Sequence, residues 1–130
     1  MRDISFKIYL QHEETGITSN EFDYSAIFSG VAKRSIESLY SEYCVIGKEE
    51  FVGCVENQNQ RVFTGDILEH INDSKLFKWL VTFKNGCFGI QNIGVEGYLG
   101  DFYPMASLYF YSDRKTVGNI YENPELLKTI

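Results

Sequence analysis

Gly65–Ile90, GDILEHINDSKLFKWLVTFKNGCFGI, is the part of the chain from which the architecture can be read. It opens on a turn: Gly65 accepts positive φ, and the Asp66 carboxylate can cap free backbone N–H groups. Ile67 and Leu68 begin a strand that Asn72-Asp73-Ser74 closes. Phe77, Trp79, Val81 and Phe83 then alternate with Lys78, Leu80, Thr82 and Lys84, the period of two expected of a strand with one buried face. Asn85-Gly86, the strongest hairpin signal in the sequence, returns the chain into Cys87-Phe88-Gly89-Ile90.

Before this stretch, Ile4, Phe6, Ile8 and Leu10 alternate with Ser5, Lys7 and Tyr9, which predicts a strand. Gln11 to Asn20 is polar with no hydrophobic period and reads as an exposed loop or hairpin tip. From Val31 to Ser41, the residues Ala32, Ile36, Leu39 and Tyr40 fall on one helical face, capped by Ser29 or Gly30. That face is expected to cover one side of a sheet. Tyr43–Ile46 and Phe51–Val55 read as two short β-prone runs, followed by a polar turn and Arg61-Val62-Phe63.

Beyond the central stretch, Gly94, Gly97 and Gly100 mark a loop, and Asp101–Tyr111 is rich in aromatics and broken by Pro104, which argues for an edge strand or a bend. The tail reads as a strand over Val117–Tyr121, then Asn123 as helix N-cap with Pro124 at the first helical position. A chain of 130 residues, 44% hydrophobic and 23% charged, suits one globular domain spanning 1–130. Aromatics at 15% lean towards β structure. The expected fold is mainly β (α+β): a compact bent sheet or SH3-like small barrel, with one covering helix and a short C-terminal helical turn.

Few residues invite chemistry. His12 lies in a polar loop and His70 at a strand end, both read as solvent-exposed or edge histidines; a dyad of His70 with Cys54 or Cys87 stays open. Cys44, Cys54 and Cys87 are odd in number, with no C-x-x-C spacing or nearby histidine pair, and read as reduced packing thiols. Glu13-Glu14 and Glu49-Glu50 read as solvated or opposite-facing pairs, and Asp66 as a turn cap. Gly94-x-x-Gly97-x-x-Gly100 lacks the strand-to-helix context of a phosphate cradle, and Glu96 and Asp101 would repel an anion. No catalytic residue, cofactor or metal site is expected. The aromatic stretch is the candidate site: Tyr98, Phe102, Tyr103, Tyr109, Phe110 and Tyr111 include adjacent pairs that point to opposite sides of a strand, so one of each pair faces a second layer or a partner.

Four strings carry a family resemblance. They are Phe51-Val52-Gly53 with its polar turn, Phe63-Thr64-Gly65-Asp66-Ile67, Asn85-Gly86-Cys87-Phe88-Gly89, and Gly118 to Leu127. Together with Ile4-Ser5-Phe6-Lys7 they resemble the YopX family of small bacteriophage and prophage proteins. Asn59-Gln60 departs from the family's usual Asn-Gly and predicts a longer or distorted loop there. The resemblance implies phage or prophage origin, a mainly β fold and homo-oligomerisation, and it supplies no catalytic residues.

Net charge of −6 removes the general attraction to phosphate backbones, so nucleic acid is the lesser expectation. It keeps a basis in Lys75, Lys78 and Lys84 flanking one hairpin beside aromatics. The start Met-Arg-Asp-Ile lacks the apolar run of a signal peptide, and no apolar run reaches membrane-spanning length, so no membrane partner and a place in the cytoplasm of the bacterial host are expected. The expectation is a non-enzymatic, homo-oligomeric accessory protein that binds a phage or host protein.

Overall fold

A computed structural model describes residues 4–55, 60–72, 74–93, 102–104 and 114–129. The fold is mainly β with helices, as expected, and the chain forms two compact units, Met1–Phe51 and Val52–Ile130.

In the first unit β1 (Ser5–His12) pairs antiparallel with β2 (Gly16–Asp23) over its full length, from Ser5 opposite Asp23 to His12 opposite Gly16. The polar segment expected as loop or tip is a tip only at residues 13–15; the remainder is strand. It lacks a hydrophobic period because β2 is an outer strand whose residues are all half-buried or exposed. On its other side β1 pairs with β3 (Cys44–Val55), one 12-residue strand where two short runs were expected. Ile46 is squeezed out as a bulge, because Tyr9 faces Gly47 while Leu10 faces Val45. The charged Lys48-Glu49-Glu50 hid the continuity of this strand. Lying between two strands, β1 buries Ile8, Tyr9 and Leu10 together, so its burial does not follow the simple alternation of its sequence.

Asp23 ends β2 and caps the first of two helices, its Oδ1 accepting from the Ala26 N–H at 2.8 Å. Helix α1 (Tyr24–Ser29) and helix α2 (Val31–Leu39) meet at Gly30, which closes one and opens the other. Helix α2 starts where the periodicity places it and ends at Leu39, two residues short of the expected Ser41, and the predicted apolar face is only partly covered: Ala32 is buried, Ile36 half-buried, and Leu39 is 73% exposed.

β3 runs on past Phe51, and β4 (Arg61–Phe63) closes the first sheet in the order β2-β1-β3-β4. The second unit is dominated by a five-stranded antiparallel sheet of order β8-β7-β6-β5-β9, formed by β5 (Asp66–Asn72), β6 (Lys75–Lys84), β7 (Cys87–Asn92), β8 (Phe102–Pro104) and β9 (Lys115–Asn119). Asn85 and Gly86 both take positive φ, 54° and 82°, as a type I′ hairpin turn requires. The Asp66 carboxylate caps its turn as expected, accepting from the Phe63 N–H at 2.9 Å. Pro104 does lie on an edge strand. Leu68, Trp79, Val81 and Ile90 share one face and pack with Val52 and Val62 into the core, flanked by Phe77 and Phe88.

The tail is held by two asparagines. Asn119 Oδ1 accepts from the N–H groups of Tyr121 and Glu122, which ends β9 two residues before the strand expected from sequence. Asn123, expected to cap the terminal helix with its side chain, turns that side chain back: its Oδ1 accepts the Asn119 N–H at 3.2 Å while its own N–H donates to the Asn119 carbonyl. A Cβ on Gly118 would lie 2.4 Å from that Asn123 oxygen, so only glycine fits beneath it. Pro124 then begins a short 3-10 helix, Pro124–Thr129.

Candidate functional site

Trp79 on β6 is the centre of a side-chain cluster among the described residues of the second unit. Its neighbour across the ladder is Leu68, and two positions along, on the same face, His70 on β5 faces Phe77. This register lays the His70 ring parallel to both Phe77 and Trp79, with centroids 5.2 and 5.8 Å away. The Trp79 indole N–H donates to His70 Nδ1 at 2.9 Å. His70 is thus a buried core histidine, 5% exposed, where an exposed or edge position was expected. Sequence alone missed this because its partners come from the next strand. Accepting at Nδ1 places the proton of neutral His70 on Nε2, a tautomer that fits a ring held for structure.

Two further groups complete the cluster. Arg114, buried just before β9, sets its guanidinium 5.2 Å from the Trp79 ring centroid. Tyr103 on β8 meets the same ring edge-on at 5.6 Å. At the open end of this sheet Glu69, His70, Ile71, Leu76 and Lys115 line a shallow cavity of about 280 Å³. Ile71 and Leu76 face each other across β5 and β6 and are both exposed.

The aromatic stretch predicted as a contact surface is described only in part: Tyr98, Tyr109, Phe110 and Tyr111 lie outside the described residues. Phe102 and Tyr103 do point to opposite sides of β8, as adjacent strand residues must. A Cβ on Gly89 would fall 2.3 Å from the Tyr103 carbonyl oxygen and 2.5 Å from the Phe102 ring, so the glycine lets β8 and that ring close over β7. Tyr103 covers Trp79 and keeps 41% of its surface exposed. The glycine loop at 94, 97 and 100 and the turn containing Asn59 also lie outside the described residues.

Among the described residues those that could carry chemistry are set apart; the Cys54 side chain, the other expected partner of His70, lies outside them. Cys87 faces Lys84 at the hairpin and its thiol donates to the Lys84 carbonyl at 3.6 Å, whereas His70 faces Phe77. Seven residues of β6, roughly 23 Å of extended chain, separate those two rungs, which removes that dyad. His12 organises the first hairpin: its Nδ1 accepts from the N–H groups of Glu14 and Thr15, and its ring lies against Tyr43. Glu49 and Glu50 occupy successive rungs opposite Lys7 and Phe6, hence opposite faces. Lys78 and Lys84 share one face of β6 and Lys75 the other; Lys78 sits across from Glu69, and Lys84 Nζ donates to Gln91. The lysine stripe is therefore split. Among the described residues no group of three His, Cys, Asp or Glu side chains is gathered as a metal site, and no helix is long and apolar enough to cross a membrane.

The first unit exposes more apolar surface on its helices. Tyr24 and Phe28, one turn apart on α1, stack at 5.8 Å and are 51% and 80% exposed. Val31 and Leu39 on α2 are exposed with them.

A mainly β architecture whose turns and tail are fixed by paired asparagines and close-packed glycines defines a small β-rich protein. The chain belongs to the YopX family: the family's profile, described as YopX protein, matches residues 5–128. The crystal structure of protein EF1440 from Enterococcus faecalis is similar in trace, with a TM-score of 0.45 and 15% identity, covering 92% of this chain and 74% of that one. No curated protein matches the chain.

Proposed function

We propose that this protein is a phage- or prophage-encoded accessory protein that acts by binding, as a homo-oligomeric module for a phage or host protein in the bacterial cytoplasm, without chemistry of its own. The observation that carries this reading is the apolar surface of α1 and α2, where Phe28 and Leu39 remain 80% and 73% exposed. Tyr24 and Phe28 stack on α1 and stay exposed with Val31 and Leu39 of α2, and large apolar side chains left exposed on successive helices mark a contact surface. The buried or bonded roles of Asp66, His70, His12 and Cys87 support the absence of a catalytic assignment, since each is used in a turn, a core contact or a hairpin.

Light scattering coupled to gel filtration tests the oligomeric part. The expected mass is an integral multiple, two or more, of the 15.0 kDa chain. A single-chain mass maintained to high concentration overturns the reading. Affinity capture from phage-infected cells, with identification of the bound proteins, tests the partner.

A further inference from the structure

We propose that β2 is a self-pairing edge, to which a second copy of this chain adds its own β2 antiparallel, across a two-fold axis at Ser19 or Asn20. This rests on the oligomeric reading above and goes beyond it by naming the surface and the partner. Among the described residues β2 is the outermost strand of its sheet, hydrogen-bonded to β1 along one side only. Its eight residues, Gly-Ile-Thr-Ser-Asn-Glu-Phe-Asp, hold register with β1 from end to end without a bulge.

Natural edge strands are commonly blunted by proline, by charged side chains and lysine above all, by a bulge or by shortness. β2 is eight residues long without proline, lysine or a bulge, and its charges, Glu21 and Asp23, sit only at its C-terminal end. The edge strands of the other sheet differ: β8 has three residues and ends in Pro104, and β9 carries Lys115 and a register shift. The contrast singles out β2.

The sequence of β2 also suits its own copy. A two-fold axis normal to the sheet keeps each residue opposite one from the same face, so the sum of paired residue numbers is even. With the axis at Asn20, Glu21 meets Ser19 and Asp23 meets Ile17. With the axis at Ser19, Glu21 meets Ile17 and Asp23 meets Thr15. In both registers each acidic residue falls opposite a neutral one, so no like charges oppose each other across the pair. The result doubles the four-stranded sheet into one continuous sheet.

Area is consistent with a partner of protein size. β2 leads through Asp23 directly into α1, and the exposed portions of Tyr24 and Phe28 alone leave roughly 200–330 Å² of aromatic surface in water. A standard interface takes about 800 Å² from each partner, so the rings supply a substantial share before the strand pair is added. The α1 rings follow the strand on every copy, so a symmetric pair brings two such patches.

Cysteine cross-linking tests the pairing in the full chain, with the exposed Cys44 replaced by serine. Under mild oxidation Ser19→Cys or Asn20→Cys should give a disulfide-linked dimer, the linked peptide identified by mass spectrometry. Ser19→Pro and Asn20→Pro form the second arm: alternate residues of an edge aim their N–H outward, so one of the two spares the β1 ladder. That variant should keep its circular dichroism spectrum and lose at least half of its mass by light scattering. A wild-type oligomer that persists in the folded proline variant, with neither cysteine variant cross-linking, overturns self-pairing and leaves the oligomeric reading intact. A wild-type monomer overturns both.

Discussion

The second unit and the first are built by different rules. Val52–Ile130 buries Val52, Val62, Leu68, Trp79, Val81 and Ile90 as one contiguous cluster, and its turns are fixed by Asp66, Asn85-Gly86, Asn119 and Asn123. Met1–Phe51 buries fewer large side chains among its described residues, chiefly Ile8, Tyr9, Leu10 and Phe51, while Tyr24, Phe28, Val31, Leu39 and Val45 stay exposed. The second unit gathers a contiguous core, although Ile71, Leu76, Phe83 and Tyr103 stay exposed on its strands. In the first unit four of the five exposed apolar residues sit on its helices, where they contribute little to the fold of a single chain and suit contact with another.

The largest effect should come from Trp79→Ala. It removes the centre of the His70, Phe77, Arg114 and Tyr103 contacts from a buried position, and such truncations cost about 3–5 kcal/mol. Urea unfolding checks it: a loss under 1 kcal/mol would show that the second unit does not depend on this core. Gly118→Ala comes next. The added methyl meets the Asn123 side chain well inside contact distance, and overpacking of this kind costs about 1–3 kcal/mol. Adding Asn123→Ala should recover part of the loss. If the double variant is worse by the sum of the two singles, the tail is not held by this contact.

How much could be read beforehand follows the same division. In the second unit, local chemistry and tertiary packing agree: the alternation of Phe77 to Phe83, the Asn85-Gly86 turn and the Asp66 cap each specify a conformation that the sheet keeps. His70 was the exception, since burial there depends on the Trp79 N–H across the ladder and leaves no local trace. In the first unit, β2 escaped notice because an outer strand with polar residues has no period to detect, and β3 was cut in two by Lys48-Glu49-Glu50. The helix α2 was visible, but periodicity gives a face and not its covering: Leu39 lies on the predicted inner face and is exposed. Of the aromatic stretch, only Phe102 and Tyr103 can be compared with the sequence reading, and they do face opposite ways.

A double-mutant cycle sharpens the account of the second unit. His70→Phe retains a ring for stacking but leaves the Trp79 indole N–H without its acceptor, which should cost about 1–3 kcal/mol. Trp79→Phe removes the donor as well. The two changes together should therefore cost less than their sum, by about 0.5–1.5 kcal/mol. Strict additivity in chemical denaturation would mean that the His70–Trp79 bond contributes nothing and that His70 is held by packing alone.

The smallest effect on folding should be the most telling for the first unit. Phe28→Ser alters a side chain that is 80% exposed, away from any cap or buried group, and substitutions at such positions stay within about 0.5 kcal/mol. Measured at a dilution where the chain is monomeric, its unfolding midpoint should match the wild type. Measured at high concentration, the variant should be the less stable of the two, because association stabilises only the chain that associates well. A concentration-independent loss above 1 kcal/mol would place Phe28 inside the fold of the single chain and erase the contrast between the units. Equal stability at every concentration would keep the contrast but remove Phe28 from the contact surface.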